Sequence, residues 1–156
     1  MKKLLATLTV MLLSMPIMAQ SLQKFIDKYA AMPGVEKMIL GPEMLKEGFS
    51  KNNINIGPLN EMGDKMKCDS VQIISKENCG KKIKKFIKDA KNINIEADGY
   101  KDIMNITDDG DFIRILVRGE MKDATELVVI ATDHDDNEFA VVRVIGKIDV
   151  ESLMNQ

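Results

Sequence analysis

Four runs rich in β-branched and aromatic residues, separated by short polar turns, occupy the last third of this chain. They are Ile103–Thr107, Phe112–Arg118, Glu126–Thr132 and Phe139–Ile145. The first connection contains Asp109-Gly110, a pair typical of tight hairpin turns. Because short connections join antiparallel neighbours, this spacing predicts a four-strand up-and-down meander. The third run is apolar on both faces and is expected inside the sheet.

The N-terminal half carries helical patterns and shorter strand signals. Two sets of apolar residues recur at helical spacing: Leu22, Phe25, Ile26 and Tyr29, and then Ile83, Phe86, Ile87 and Ala90. Weaker signals predict strands over Val35–Leu40 and Asp69–Ile74, a helix from Pro42 and a closing helix over residues 149–154. Lys51–Lys67 is the least regular stretch, with a weak signal for a short helix around Leu59–Met66. Helices from the N-terminal half packed on an antiparallel sheet with a C-terminal meander define an α+β fold.

The first residues have the pattern of a secretory signal peptide. Two lysines precede an almost wholly apolar run, and Ile17 and Ala19 are small or acceptable residues at the −3 and −1 positions of a cleavage site. The apolar run is shorter than the roughly 20 residues that span a bilayer. No cysteine follows it, so the sequence predicts an exported, periplasmic protein that is not a lipoprotein. Residues 1–19 are then the signal peptide and residues 20–156 a single domain.

The net charge argues against nucleic acid as a partner, and the positions of the two cysteines argue against a disulfide. The chain of 156 residues has a formal net charge of −2, and cleavage removes two lysines, so nucleic acid is an unsuitable partner. Cys68 would begin a strand and Cys79 would lie in the first turn of the next helix. A strand rises about 3.3 Å per residue, which places the two beyond bridging distance. We therefore expect two free, partly buried thiols.

Four short segments contain distinctive combinations of core and turn residues: residues 25–29 (FIDKY), 33–38 (PGVEKM), 99–104 (GYKDIM) and 144–149 (VIGKID). Together with the strand before the lysine-rich helix, they resemble an exported family of Bacteroidetes known as "domain of unknown function 4252". The resemblance covers most of residues 20–156 and consists of core and turn residues. It implies export and a compact domain, and it implies no activity.

Catalytic signatures are scarce in this sequence. His134 is the single histidine and lies among aspartates in a turn, with no Gly-x-Ser-x-Gly motif, zinc-ligand spacing or phosphate-binding loop elsewhere. No cofactor is therefore expected. The sequence favours a non-enzymatic binding or interaction module of the cell envelope, whose partner is another envelope protein or the membrane surface. The alternative is a small periplasmic hydrolase-like enzyme whose site is assembled from scattered residues.

Two acidic turns are a candidate metal site. In a meander the first and third turns lie at the same end of the sheet, which gathers six aspartates: Asp108, Asp109, Asp111, Asp133, Asp135 and Asp136. Ca²⁺ takes six to eight oxygen ligands from flexible acidic loops. Aspartate is also a common turn former, so solvated turns are the alternative interpretation.

Two basic groups are candidates for binding anions or an acidic surface. The first is the polar side of the second helix, with Lys81, Lys85 and Lys88 among its lysines. The second comprises every arginine of the chain, Arg114, Arg118 and Arg143, all within the predicted sheet. The alternatives are a solvated helix face for the lysines, and cross-strand pairing with Glu126 and similar neighbours on an open sheet face for the arginines.

We expect the exported protein to begin at Gln20, because the cleavage pattern ends at Ala19. Mass spectrometry of the N-terminus of protein recovered from the periplasm measures this directly. A chain that still begins at Met1 in the cytoplasm would contradict the prediction.

Overall fold

A computed structural model of the chain describes residues 21–46 and 67–155. The predicted signal peptide and nearly all of the least regular stretch, Lys51–Lys67, including the helix signal around Leu59–Met66, lie outside these residues. The described helices are α1 (Leu22–Ala30), α2 (Pro42–Lys46), α3 (Lys82–Lys91) and α4 (Val150–Met154). The described strands are β1 (Glu36–Leu40), β2 (Lys67–Lys76), β3 (Tyr100–Asp108), β4 (Asp111–Glu120), β5 (Asp123–Asp133) and β6 (Glu138–Ile148). Among the described helices, none is long and apolar enough to cross a membrane.

All six described strands form one sheet, in the order β1-β2-β6-β5-β4-β3. Every neighbouring pair is antiparallel. Strands β3 to β6 are the predicted meander, and β5 lies inside the sheet as its apolar sequence indicates. The α+β prediction is confirmed. Strand β2 extends the meander by pairing with β6, and the short strand β1 forms that edge.

Helices α1 and α3 cover one face of the sheet, which we call the helix-covered face. Their apolar sides meet the sheet in a cluster of aromatic rings. Phe86 stacks on Phe139 of β6 with ring centroids 4.3 Å apart, and its ring meets Tyr29 edge-on at 4.7 Å. Phe25 lies 5.3 Å from Phe86 and completes the cluster. These contacts fasten both helices to the same part of the sheet.

The opposite face, which we call the second face, is covered at one end by α2 and α4. Leu45 of α2 and Val150 and Leu153 of α4 pack against the sheet residues there. This second cluster includes Val71, Val117, Leu127 and Val144, which lie on neighbouring strands. The sheet therefore has apolar residues on both of its faces, as β5 alone would suggest.

The two faces of β4 are covered in a way that the residue types do not suggest. Arg114 points to the helix-covered face and is only 4% exposed, whereas Ile113 on the second face is 38% exposed. The expectation that the arginines lie on an open sheet face is wrong for Arg114. The reason is that α3 packs over this face and supplies a hydrogen-bond acceptor to the guanidinium.

Both cysteines are free, as expected. Cys68 lies near the start of β2 and is half-buried, while Cys79 is buried in the turn that precedes α3. The Cys79 thiol donates a hydrogen bond to the carbonyl of Lys76 at 3.2 Å, and burial raises the pKa of both thiols. Helix α3 begins at Lys82, so Cys79 precedes the helix instead of lying in its first turn.

We expect Phe86→Ala to lower the free energy of unfolding by about 3–5 kcal/mol. Phe86 is fully buried and contacts every other ring of the aromatic cluster, so truncation leaves a cavity between both helices and the sheet. Urea denaturation followed by circular dichroism measures the change. Ile39→Ala is the matched control, because Ile39 is 70% exposed and its loss should change stability by under about 0.5 kcal/mol.

Candidate functional site

A buried carboxylate held by two arginines is the centre of the polar structure on the helix-covered face. Glu126 of β5 is 4% exposed, and the sheet register places Arg118 of β4 directly opposite it. One oxygen of Glu126 accepts a hydrogen bond from Nε of Arg143 on β6, and Nη1 of Arg118 lies 3.7 Å from the other. This is the cross-strand pairing with Glu126 that the sequence predicts, and both carboxylate oxygens have a cationic partner.

Tyr100 joins this group from the edge strand β3. Its ring lies under the guanidinium of Arg118, 4.5 Å from the carbon to the ring centroid, because the two residues are register partners. Burial raises the pKa of Tyr100 to about 12, with the hydrogen bond and negative charge of Glu126 adding to the effect. The phenol is therefore neutral at ordinary pH and acts as a hydrogen-bond donor toward the carboxylate.

A shallow depression of about 130 Å³ opens beside these side chains. It is lined by Ser21, Leu22, Gln23, Asp98, Tyr100, Arg118 and Arg143. Arg143 donates to the side-chain oxygen of Gln23 at 2.8 Å, and Arg118 donates twice to the carbonyl of Asp98 at 2.8 and 3.0 Å. Ligand pockets for drug-sized molecules are typically about 300–1,000 Å³. This depression is smaller, and the donors that line it already have acceptors within the fold.

Arg114 is separate from this group and joins α3 to the edge of the sheet. It forms a two-pronged ion pair with Asp102 of β3, with N–O distances of 2.7 and 3.0 Å. Its Nη1 donates to the carbonyl of Ala90 in the last turn of α3 at 2.7 Å. The last carbonyls of a helix lack partners within the helix, so Arg114 supplies one from the sheet. The structure does not bring Arg114 together with Arg118 and Arg143 in one anion site.

The lysines of α3 face solvent. Lys81, Lys85 and Lys88 are all exposed, and binding of an acidic surface by them stays a prediction. The acidic residue of the helix, Asp89, faces α1 instead. It accepts hydrogen bonds from Lys28 and from the hydroxyl of Tyr29, both at 2.6 Å, and these contacts lower its pKa against the opposing effect of burial.

The two acidic turns lie together at one end of the sheet, as the meander predicts. The backbone N–H of His134 donates to Asp111 at 2.7 Å across the two turns, and a side chain at Gly110, where φ is +91°, would collide with the His134 ring. Asp133 accepts the backbone N–H groups of Asp135 and Asp136 at 2.9 and 3.1 Å. Asp111 and Asp133 thus stabilise the turns themselves.

The Ca²⁺ hypothesis gains no geometric support from these turns. Among the described residues, no group of three or more His, Cys, Asp or Glu side chains could hold a metal ion. Asp108, Asp109, Asp111, Asp133, Asp135 and Asp136 share one end of the sheet, and all are exposed. Calcium binding by them stays a prediction, and the turn chemistry already accounts for two of the carboxylates.

Sequence reasoning identified Glu126 and the arginines but missed the other members of the polar group. Tyr100 lies outside the strand that the sequence predicts from Ile103 onward, whereas β3 begins at Tyr100. Gln23 and Asp98 come from α1 and from the segment before β3, so only the fold brings them near Arg143 and Arg118. A tyrosine in register opposite an arginine was the one available signal.

The fold and these surfaces define a small α+β domain with a single six-stranded antiparallel sheet, whose buried polar group is composed of ion pairs. The chain belongs to the family described as Domain of unknown function (DUF4252), whose profile matches residues 29–155. The family resemblance found in the sequence is thereby confirmed. No curated protein matches the sequence.

We expect Tyr100 to ionise near pH 12, measured by tyrosinate absorbance in the Tyr29→Phe variant, which leaves Tyr100 as the sole tyrosine. The pKa of Tyr100 in the folded protein lies above its ordinary value of 10.0, so burial of the neutral phenol beside Glu126 contributes to stability. That contribution is fully present below pH 10 and is lost as pH rises through the pKa of the folded protein. Urea denaturation across that pH range should show the decline. A titration midpoint near 10 in the folded protein would contradict burial beside Glu126.

Proposed function

We propose that this protein is an exported, non-enzymatic binding module that acts on a partner in the cell envelope. The signal-peptide pattern of residues 1–19 supports export. The chemistry of the described side chains supports binding over catalysis, and the state of Glu126 is the observation that carries the proposal.

Glu126 is the most buried carboxylate described, and its two oxygens face two guanidinium groups. A general base needs a free oxygen within hydrogen-bond reach of a substrate proton. Both oxygens of Glu126 are instead engaged by Arg118 and Arg143, and these arginines have further acceptors in Asp98 and Gln23. A carboxylate whose oxygens are both engaged in this way holds neighbouring strands in a fixed arrangement. Binding of a partner is then the role of the exposed surfaces of the domain.

The alternative function is a small periplasmic hydrolase-like enzyme. The observation that favours it is the meeting of Tyr100, with its strongly raised pKa, and Glu126 beside the depression. Perturbed ionisable groups that border a concave surface are typical of active sites, although structural ion pairs also produce them. An enzyme would require Tyr100 to act as a proton donor to a substrate held in the depression.

An in-cell photo-crosslinking experiment separates the two functions. The full chain, with its signal peptide, carries a photoreactive amino acid in turn at four exposed positions on different surfaces: Ile39, Lys85, Ile113 and Lys122. We expect a discrete adduct with an envelope component from at least one position. The counterpart measurement is turnover of ester, phosphoester and peptide substrates by the purified protein.

Two outcomes would overturn the proposed binding module. One is the absence of any adduct at all four positions. The other is substrate turnover that Tyr100→Phe abolishes while circular dichroism and thermal unfolding stay close to the wild type. Lys122→Ala is the control variant for turnover, because Lys122 lies in the exposed turn between β4 and β5 and does not line the depression.

A further inference from the structure

The register of the sheet aligns apolar side chains in rows across the second face. One row runs through all six strands, from the β1 edge to the β3 edge: Met38, Ile73, Val142, Val129, Ile115 and Met104. The next row contains Ile106, Ile113, Ala131 and Ala140. We call these two rows the apolar rows. They are continuous because each strand alternates its side chains between faces. The register shifts in β2 to β6 all lie outside these rows.

The second of the apolar rows lies beyond the part of the face that α2 and α4 cover. The first row borders that part, because Val142 is buried in the second cluster and Ile73, Val129 and Ile115 pack against it. The helix residues Leu45, Val150 and Leu153 pack near the buried row that contains Val71 and Leu127. In the second row, by contrast, the neighbouring side chains of Ile106 and Ile113 are 50% and 38% exposed. Met38, at the β1 end of the first row, is 44% exposed. Exposed apolar side chains that adjoin one another, unlike single ones, typically mark an interaction surface.

A row of carboxylates borders the apolar rows on the same face. Its members are Asp108 and Asp133, which end β3 and β5, and Asp111 and Glu138, which begin β4 and β6. Asp108 pairs in register with Asp111, and Asp133 with Glu138, so like charges lie side by side. Within the described part of the chain, no salt bridge involves any of these four residues.

The electrostatic state of Glu138 shows that this negative charge is not compensated locally. Burial raises its pKa, and the neighbouring carboxylates of Glu77, Asp136, Asp133 and Glu36 raise it further. Carboxylates placed directly opposite one another destabilise a sheet. A cationic partner would remove that repulsion, whereas turn formation needs only the oxygens of Asp111 and Asp133.

We propose that the second face docks a basic amphipathic helix of a partner polypeptide, with its apolar side on the apolar rows and its lysines or arginines against the row of carboxylates. This inference rests on the proposed binding function and specifies its surface and its partner chemistry. Apolar contact supplies most of the affinity, and the carboxylates set orientation and accelerate encounter.

The dimensions of the surface match such a helix. Strands lie about 4.8 Å apart. The row from Ile106 to Ala140 and the row of carboxylates both cross β3 to β6, so each extends about 14 Å, the length of a helix of about 10 residues at 1.5 Å per residue. Successive rows are two residues apart, or about 7 Å, a distance that a lysine side chain on the flank of the helix spans. An anionic membrane is a poorer occupant, because the carboxylate row would repel its headgroups.

The test uses the mature protein and a fluorescent helical peptide of about 18 residues made of leucine and lysine, with the leucines on one side. Fluorescence anisotropy should show saturable binding by the wild type. A peptide with the same residues in scrambled order, and a peptide with glutamate for lysine, should both bind at least about tenfold more weakly, a difference of about 1.4 kcal/mol. Scrambling removes the apolar stripe, and glutamate reverses the charge.

Variants of the protein locate the site. Ile106→Ser with Ile113→Ser should weaken binding about tenfold or more, because both side chains are exposed members of the apolar rows. Ile39→Ser is the matched control, since Ile39 is exposed to a greater extent but pairs with Gln72 on the helix-covered face. Circular dichroism should show that all these variants remain folded.

Charge variants test the carboxylate row. Asp108→Asn with Glu138→Gln should weaken binding and reduce its dependence on salt, because fewer charges remain to be screened. These two residues are chosen because neither accepts one of the backbone hydrogen bonds that hold the turns. Glu120→Gln with Asp123→Asn, a register pair at the opposite end of the sheet, is the control and should leave binding unchanged.

Three results would overturn the inference: no binding of the helical peptide by the wild type, equal binding of the scrambled peptide, or unchanged binding by the Ile106 and Ile113 variant. Binding to anionic vesicles in preference to the peptide, or a dimer in sedimentation that the same variant dissociates, would assign the surface to a membrane or to a second copy and would also overturn it. Any of these results can occur while a crosslinked adduct still forms in cells. The docking inference can therefore fail while the proposed binding function holds, and the two experiments distinguish these cases.

Discussion

The arginines of this sheet lie beneath or beside helices, and the rest of the structure depends on how their charges are paired. Arg114 is held by Asp102 and by a carbonyl of α3, and Arg143 by Glu126 and by Gln23 of α1. A buried charge without a partner is strongly destabilising, so each helix must sit where its acceptor meets a guanidinium. The arginines therefore help to determine which face the helices cover and in what position.

The aromatic cluster gives that arrangement its apolar stabilisation. Phe25, Tyr29, Phe86 and Phe139 bury their rings between the helices and the sheet, and Asp89 of α3 bonds Lys28 and Tyr29 of α1. With both longer helices committed to one face, the second face has only α2 and α4 from the described residues to cover it. Ile106 and Ile113 remain exposed beside the carboxylate row because the helices are distributed unequally between the two faces. These exposed side chains make the second face a candidate docking surface.

Local sequence pattern predicted much of this fold, because strands and turns depend on neighbouring residues. The meander, the interior position of β5 and the meeting of the two acidic turns all follow from alternation and from short connections. Pairing of Arg118 and Arg143 with Glu126 could also be predicted, since opposite charges favour adjacent strands. Gln23 could not be predicted as a neighbour of Arg143, because 120 residues separate them along the chain. Tyr100 and Asp98 lie one hairpin from Arg118, and the sequence pattern misses them because it predicts a strand from Ile103 onward, whereas β3 begins at Tyr100.

By itself, the sequence determined which residues share a face of each strand, because side chains alternate with a period of two. It also determined that one end of the sheet is acidic and that the chain has the pattern of an exported protein. Only the tertiary structure decided which face of β4 is buried. Both faces have apolar residues to bury. Helices α1 and α3 pack on the face where they supply hydrogen-bond acceptors to Arg114 and Arg143 and where they enclose the aromatic rings. That choice depends on contacts between distant segments, which local pattern does not encode.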